Sequence, residues 1–204
     1  MINDRAWWEN EFLNNWEVGF DGKEQTLYFA QLMLANLPED VKAFLSVPGT
    51  TVLDWGCALG QAVNLVQATF SGANVTGLDF AEKAIEKARV LFPSNRFMSR
   101  TFNKEIDFYD VVYTSNCLEH FSNPMDNIKD LLEGTGKYFI ALVPYNQGGF
   151  AGPMDMDCHF YSFTESSFPG QIGDFARQHC KVIPPVNPDM WNDNQLLVIY
   201  ERRR

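Results

Sequence analysis

Asp54 and Asp79 are the residues whose type and spacing suit chemistry most directly. Each ends a short apolar run, Thr51-Val52-Leu53-Asp54 and Val75-Thr76-Gly77-Leu78-Asp79. Between them stand Gly56 and Gly60, and Gly60 opens an amphipathic stretch. A buried strand, a tight glycine turn and a helix start place free backbone N–H groups at the mouth of a parallel sheet. An acid at the end of the next strand can accept two hydrogen bonds from a ribose diol. The pattern predicts a nucleoside-containing cofactor.

Dinucleotide binding favours three glycines, G-x-G-x-x-G, so that the backbone can approach a pyrophosphate. Here the turn holds only Gly56 and Gly60, and the chain has no G-x-x-x-x-G-K-[ST] loop. Asp54, inside the turn, would repel a pyrophosphate but could anchor an ammonium, directly or through water. A ligand with an ammonium, a carboxylate and a ribose fits better, and S-adenosylmethionine has those groups. A nicotinamide-dependent oxidoreductase remains the alternative on the same elements.

Several segments carry a family resemblance. Val52-Leu53-Asp54-Trp55-Gly56-Cys57-Ala58-Leu59-Gly60 resembles motif I of class I S-adenosylmethionine-dependent methyltransferases, and Gly77-Leu78-Asp79-Phe80 resembles their ribose-binding motif. Asp110-Val111-Val112-Tyr113-Thr114-Ser115-Asn116-Cys117-Leu118-Glu119-His120-Phe121 is similar to their fourth-strand motif, and residues 136 to 144 to their fifth strand. His159-Phe160-Tyr161-Ser162-Phe163-Thr164 resembles an H-x-x-x-F-T segment of small-molecule members. Ala58 departs from the pattern, since many members have glycine there. The resemblance implies a doubly wound α/β, Rossmann-like sheet of seven strands in the order 3-2-1-4-5-7-6. In that order the last strand runs antiparallel, and an N-terminal helical cap precedes the sheet.

Composition sets the bounds. The 204 residues suit one structural unit that buries roughly 70% of its unfolded surface. The net charge of −10 argues against a nucleic-acid partner, whose backbone needs a basic track. No uninterrupted apolar run is long enough for a membrane span. Acids among the first residues (Asp4, Glu9, Glu11, Glu17) do not suit a secretory signal. Four cysteines without close pairing suit free thiols, hence a cytoplasmic setting.

The elements that must position these residues follow from pattern. Asp21-Gly22-Lys23-Glu24 reads as a capping box before a helix over 25–37 that stops at Pro38. A short helix covers about 39–46, then helices cover 60–70, 81–91 and 124–132. Strands are expected near 96–99, 109–114, 137–143, 181–183 and 195–200. Residues 1–48 read as a helical cap or substrate lid and residues 49–204 as the cofactor-binding domain. Trp7, Trp8, Phe12, Trp16 and Phe20 would cover the cleft, pack on the sheet, or form a homodimer contact.

Asp79 is either a ribose ligand or the N-cap of the next helix. Asp54, Gly56, Cys57 and Gly60 form the cofactor turn, and Phe80 would pack on the adenine or simply in the core. The resemblance places Asn116 beneath the methionine moiety, with a helix cap as its alternative, and Gln25 could reach the cofactor's carboxylate. His120 and His159 can take a proton from an acceptor, or serve structural hydrogen bonds. Tyr145 would position the acceptor. Asp155, Asp157, Cys158 and His159 also invite a metal, but neighbours in a strand point to opposite faces, so no metal is expected. The expected activity is methyl transfer from S-adenosylmethionine to a small-molecule acceptor, first of all a hydroxyl of a sugar or secondary metabolite. A non-catalytic partner subunit of the same fold is the second alternative.

Overall fold

The computed structural model describes residues 1–19, 21–156 and 158–203. Phe20 of the aromatic segment and Asp157 of the acid-rich segment lie outside the described residues. The chain divides into two compact units, Met1–Phe102 and Asn103–Arg204.

The first unit begins with three helices, α1 (Arg5–Asn14), α2 (Gly22–Asn36) and α3 (Glu39–Leu45). β1 (Thr51–Trp55), α4 (Gln61–Thr69), β2 (Asn74–Asp79), α5 (Glu82–Leu91) and β3 (Arg96–Ser99) follow. β1 pairs parallel with β2, and β2 parallel with β3. Val52, Leu53, Val75 and Leu78 are almost wholly buried, as expected of strands covered on both faces.

The second unit holds β4 (Tyr109–Ser115), α6 (Pro124–Glu133) and β5 (Thr135–Pro144). A hairpin of β6 (Gly152–Met156) and β7 (His159–Ser162) comes next, then β8 (Gln171–Ile172), β9 (Phe175–Ile183) and β10 (Gln195–Arg202). β4 and β5 are parallel, whereas β10 runs antiparallel to both β5 and β9. The fully buried run Leu196 to Tyr200 explains why β10 sits inside the sheet rather than at its edge.

The strand order is β3-β2-β1-β4-β5-β10-β9-β8. This is the expected doubly wound order with the antiparallel last strand, extended from seven strands to eight by the two-residue β8. That strand and the separate β6–β7 hairpin had no apolar run to announce them.

The capping box expected at Asp21 is absent. Asp21 adopts a left-handed φ of 47° and its side chain caps nothing. The cause is local crowding: a Cβ on Gly22 would lie 2.3 Å from the Trp16 ring, and the Gly22 N–H donates to the Trp16 carbonyl. The chain turns tightly around Trp16 before α2 can start.

A cap does form where no local pattern signals one. The Glu9 carboxylate, on α1, accepts from the backbone N–H groups of Glu82 (2.7 Å) and Lys83 (2.8 Å) in the first turn of α5. Those groups have no intrahelical partner, and the helix dipole favours an anion there. At the other end of the contact, Lys87 on α5 donates to the Phe12 carbonyl and to Glu17. Lys87 and Lys23 together hold the Glu17 carboxyl below its usual range, Lys23 most strongly. Between these polar clasps, Phe12 is buried with Ala58, Leu59, Ala81 and Ala84, and Trp8, Trp16 and Phe80 pack around them.

Backbone conformation in the β1–α4 turn is unusual. Gly56 (φ 79°) and Gly60 (φ 84°) are left-handed, and so is Ala58 (φ 46°). Left-handed backbone costs an L-residue about 1–2 kcal/mol and glycine almost nothing. Glycine's frequency at this position in the resembled family thus has a conformational reason.

Two stability outcomes follow. Glu9→Ala should cost about 1–2 kcal/mol in urea unfolding by leaving the α5 amides without their anion. Ala58→Gly should leave stability unchanged or raise it by up to about 1 kcal/mol, because relief of strain offsets the greater freedom of the unfolded chain. A loss above about 1 kcal/mol would mean that the Ala58 methyl matters more than its backbone strain.

Candidate functional site

The first unit gathers its expected site residues around one carboxylate. Asp79 ends β2, where the sheet's carboxyl edge would meet a ligand. Its Oδ2 accepts from the Ala58 N–H (3.1 Å) and its Oδ1 from the Ala81 N–H (2.9 Å). Asp79 is therefore not the N-cap of α5; that position is Ala81, and Glu9 supplies the anion. Burial pushes the Asp79 carboxyl up to about 6, although the two amide bonds pull it down, and the Glu9 carboxylate adds to the rise.

The turn leaves fewer open amides than its sequence suggests. The Gly56 and Cys57 N–H groups both donate to the Leu78 carbonyl, Ala58 donates to Asp79, and Gly60 donates to the Cys57 carbonyl. What helix geometry leaves for an anionic ligand group is the first turn of α4, Gln61 to Val63. Asp54 is buried at the end of β1. Cys57 turns its side chain into the core, near the space a Cβ on Gly77 would fill, so only its backbone faces the turn. A Cβ on Gly60 would meet the Phe97 ring at 2.6 Å, so close packing as well as left-handed φ requires glycine there.

Phe80 follows Asp79 and is partly exposed against the Phe12 cluster, in place to offer a face to a planar base. Gln25 is half-buried in the first turn of α2, the helix that packs on α4.

The second unit gathers a different set. Asn116 follows β4 with a left-handed φ of 47°, and its N–H donates to the Leu142 carbonyl. Its side-chain oxygen accepts from the buried Gln195 amide at 3.1 Å. The following 3-10 turn, Leu118–His120, has Cys117 and not Asn116 at its N-cap position. Gln195 was missed in the sequence because only β10 pairing brings it beside Asn116.

Glu119 and His120 are adjacent in sequence but part company in space. The Glu119 side chain is fully buried and its Oε2 has no hydrogen-bond partner. Burial pushes that carboxyl up to about 8, so it is largely the neutral acid at neutral pH. His120 turns to the β6–β7 hairpin, where its Nδ1 lies 2.9 Å from the Cys158 carbonyl. Burial brings the imidazole down to about 3 against the pull of that hydrogen bond, and His159 adds to the fall. A neutral imidazole this weakly basic is a poor proton store.

His159, at the start of β7, meets His120 edge to face with ring centroids 5.1 Å apart. Its Nδ1 is 2.8 Å from Oε1 of the buried Gln147. Tyr145 is engaged elsewhere: its hydroxyl donates to Glu165, which holds the phenol above its usual range. The two histidines are thus brought together, and Tyr145 is tied to a carboxylate apart from that pair.

Comparison with known proteins gives a domain match over part of the chain and a shared fold over nearly all of it. Residues 53–139 match the family described as "Methyltransferase domain". No curated protein matches the sequence. Among solved structures, the fold is similar to the magnesium protoporphyrin IX methyltransferase of Synechocystis with bound SAH, at 18% identity, 98% of each chain and a TM-score of 0.68. It is similar to a putative methyltransferase of Haloferax volcanii in complex with the Trm112 activator, at 13% identity, 97% of this chain, 98% of that one and a TM-score of 0.68. It is also similar to the plantazolicin methyltransferase BpumL with SAH, at 16% identity, 96% of each chain and a TM-score of 0.63. Residues 53–139 thus match a methyltransferase domain, and the fold of the chain is that of the S-adenosylmethionine-dependent methyltransferases it resembles.

Proposed function

We propose that this chain binds S-adenosylmethionine at the β1–α4 turn and transfers its methyl group to a small-molecule acceptor, first of all a hydroxyl of a sugar or secondary metabolite. The observation that carries the reading is Asp79, a buried carboxylate at the end of β2 that also fastens the glycine turn. Its remaining lone pairs suit the two hydroxyls of a ribose. Two chains of similar fold were crystallised with SAH, the demethylated product.

The reaction displaces an already activated methyl in line, so the protein's work is alignment and exclusion of water. Asp54 would attract the ammonium, the first turn of α4 the carboxylate, and Phe80 the adenine. Residues 1–48 would act as the substrate cap. Of the two histidines, His159 is the better candidate for accepting an acceptor's proton, since His120 is held neutral and weakly basic. Tyr145, fixed by Glu165, would position the acceptor.

A small-molecule acceptor suits the acidic surface, with 26 Asp and Glu against 16 Lys and Arg. Among the described residues no helix is long and apolar enough to cross a membrane.

Calorimetric titration with S-adenosylmethionine, SAH and NADH tests the reading. Both adenosyl ligands should bind with Kd near micromolar, about −8 kcal/mol, and NADH should not. Asp79→Asn should weaken both by about 30- to 100-fold, the worth of hydrogen bonds to a charged group. Binding of NADH alone would instead favour the oxidoreductase. Adenosyl binding with no labelled methyl passed to any acceptor pool would favour a non-catalytic partner subunit.

The pH dependence has a definite sign. In the free protein the Asp79 carboxyl titrates near 6, above its unfolded value of about 3.9. This one group therefore weakens the unliganded fold as pH rises from about 4 to about 6, the reverse of a salt-bridged aspartate. A ribose diol binds the ionised form, so affinity for S-adenosylmethionine should level off above pH 6. Below it, affinity should fall by about tenfold per pH unit. Affinity independent of pH between 5 and 7 would show that Asp79 does not hold the ribose.

A further inference from the structure

The β6–β7 hairpin brings together three side chains that metals favour. His120, Cys158 and His159 each offer a donor atom, and these atoms lie within 4.8 Å of one another. The alternation that sets neighbouring strand residues on opposite faces does not govern Cys158 and His159. β7 begins at His159, and Cys158 lies in the turn before it. The third donor, His120, ends the 3-10 turn that follows β4 and lies 38 residues before Cys158.

The surroundings already orient both imidazoles. A carbonyl oxygen can only accept, so His120 Nδ1 must donate to the Cys158 carbonyl. His159 Nδ1 likewise faces the Gln147 side-chain oxygen. In a neutral imidazole those two bonds place the lone pair of each ring on Nε2. Metal-bound histidines are oriented in this way, with the second nitrogen held by a carbonyl or an amide.

Gln147 is itself fixed, because the single Ser162 hydroxyl proton is shared between its backbone carbonyl and that of Phe150, each 2.7 Å from Oγ. The spacing agrees as well. Two imidazoles at Zn–N distances of about 2.0–2.1 Å and a tetrahedral angle have ring centroids about 5 Å apart. Here the separation is 5.1 Å with the rings at 73°. Donor atoms around such an ion stand about 3.3–3.7 Å apart, so closure from within 4.8 Å needs side-chain shifts of about 1 Å.

We propose that His120, Cys158 and His159 form a three-ligand site for a zinc-like divalent cation, with a fourth position open to water or to an acceptor's heteroatom. Two imidazoles and a thiolate suit zinc or cobalt and not the oxygen-seeking magnesium or calcium. The open position resembles that of catalytic rather than structural zinc sites, and a bound ion would lower the pKa of whatever oxygen or sulfur it held there. Within this site Gln147 is a positioning residue that acts through His159. The proposal does not rest on methyl transfer and is read without any cofactor.

The test is cobalt(II) titration of the tag-free full chain after chelator treatment. One equivalent should bind with an intense thiolate-to-cobalt charge-transfer band and the visible bands of a tetrahedral ion, and zinc should displace it. Cys158→Ser should abolish the charge-transfer band, whereas Cys180→Ser, on β9, should keep it. His120→Ala and His159→Ala should weaken binding by at least about 100-fold, and Gln147→Ala by about 10- to 100-fold. Circular dichroism of each variant would separate lost ligation from lost folding. Absence of saturable cobalt or zinc binding in the folded wild-type chain would overturn the proposal, as would a band that survives in Cys158→Ser. Either result would leave the three side chains as a hydrogen-bonded clasp for the hairpin. Calorimetry with S-adenosylmethionine would stand or fall separately.

Discussion

The candidate cofactor site depends on the pair of hydrogen bonds that Asp79 accepts. One fixes the Ala58 N–H and so the path of the β1–α4 turn; the other fixes Ala81 and so the start of α5. A buried carboxylate is costly unless its oxygens are satisfied. Two backbone donors reduce that cost without adding a cation, which leaves the group ionisable near pH 6. A lysine or arginine partner would have held the carboxyl low and occupied the lone pairs a ribose needs. The left-handed Ala58 is where the chain accepts strain so that its N–H can reach Asp79.

Around that carboxylate the first unit is packed to stay in one shape. Gly60 and Gly77 are both pressed by Phe97, and Gly77 also by Cys57 and Val63. There is no room for the turn to relax outward by a methyl group. On its other side, α1 closes over Ala58, Leu59 and Ala81 with Phe12, while Glu9 and Lys87 clasp the two helices at separate points. The N-terminal helix thus completes the wall behind the turn. Phe12 is buried in the core of this unit, and the half-buried Trp8 and Trp16 pack against it.

Much of this was legible in the sequence because it rests on short-range patterns. Continuous apolar runs gave β1, β2, β4 and β5, and glycines at the end of an apolar run gave the turn. Apolar residues at helical spacing gave α4, and Pro93 marked the end of α5. What stayed hidden depends on residues far apart in the chain. The cap on α5 comes from Glu9, 73 residues upstream, while the cap that the local pattern promised at Asp21 is displaced by the Trp16 ring. Local spacing can propose a hydrogen bond, but a bulky neighbour decides whether the backbone can adopt it. Likewise Glu119 and His120 read as a chemical pair, yet the tight 3-10 turn sends one into the core and the other to the hairpin.

The second unit shows what such a division achieves. A glutamate beside a histidine on one face would form an ion pair, raising the imidazole's basicity and filling its second nitrogen. Burial of Glu119 as a neutral acid removes that partner, and the Cys158 carbonyl takes its place. A carbonyl orients the ring as firmly as a carboxylate would but contributes no charge. His120 is thereby kept as a neutral donor with a defined tautomer, paired at van der Waals range with a second imidazole oriented by Gln147. Two like groups placed so close would repel if both were charged, so the arrangement is stable only while at least one stays neutral. The neutral, oriented His120 imidazole beside a thiol is suited to donating an electron pair and ill suited to storing a proton. The geometry of this cluster is therefore compatible with the ligand set proposed above.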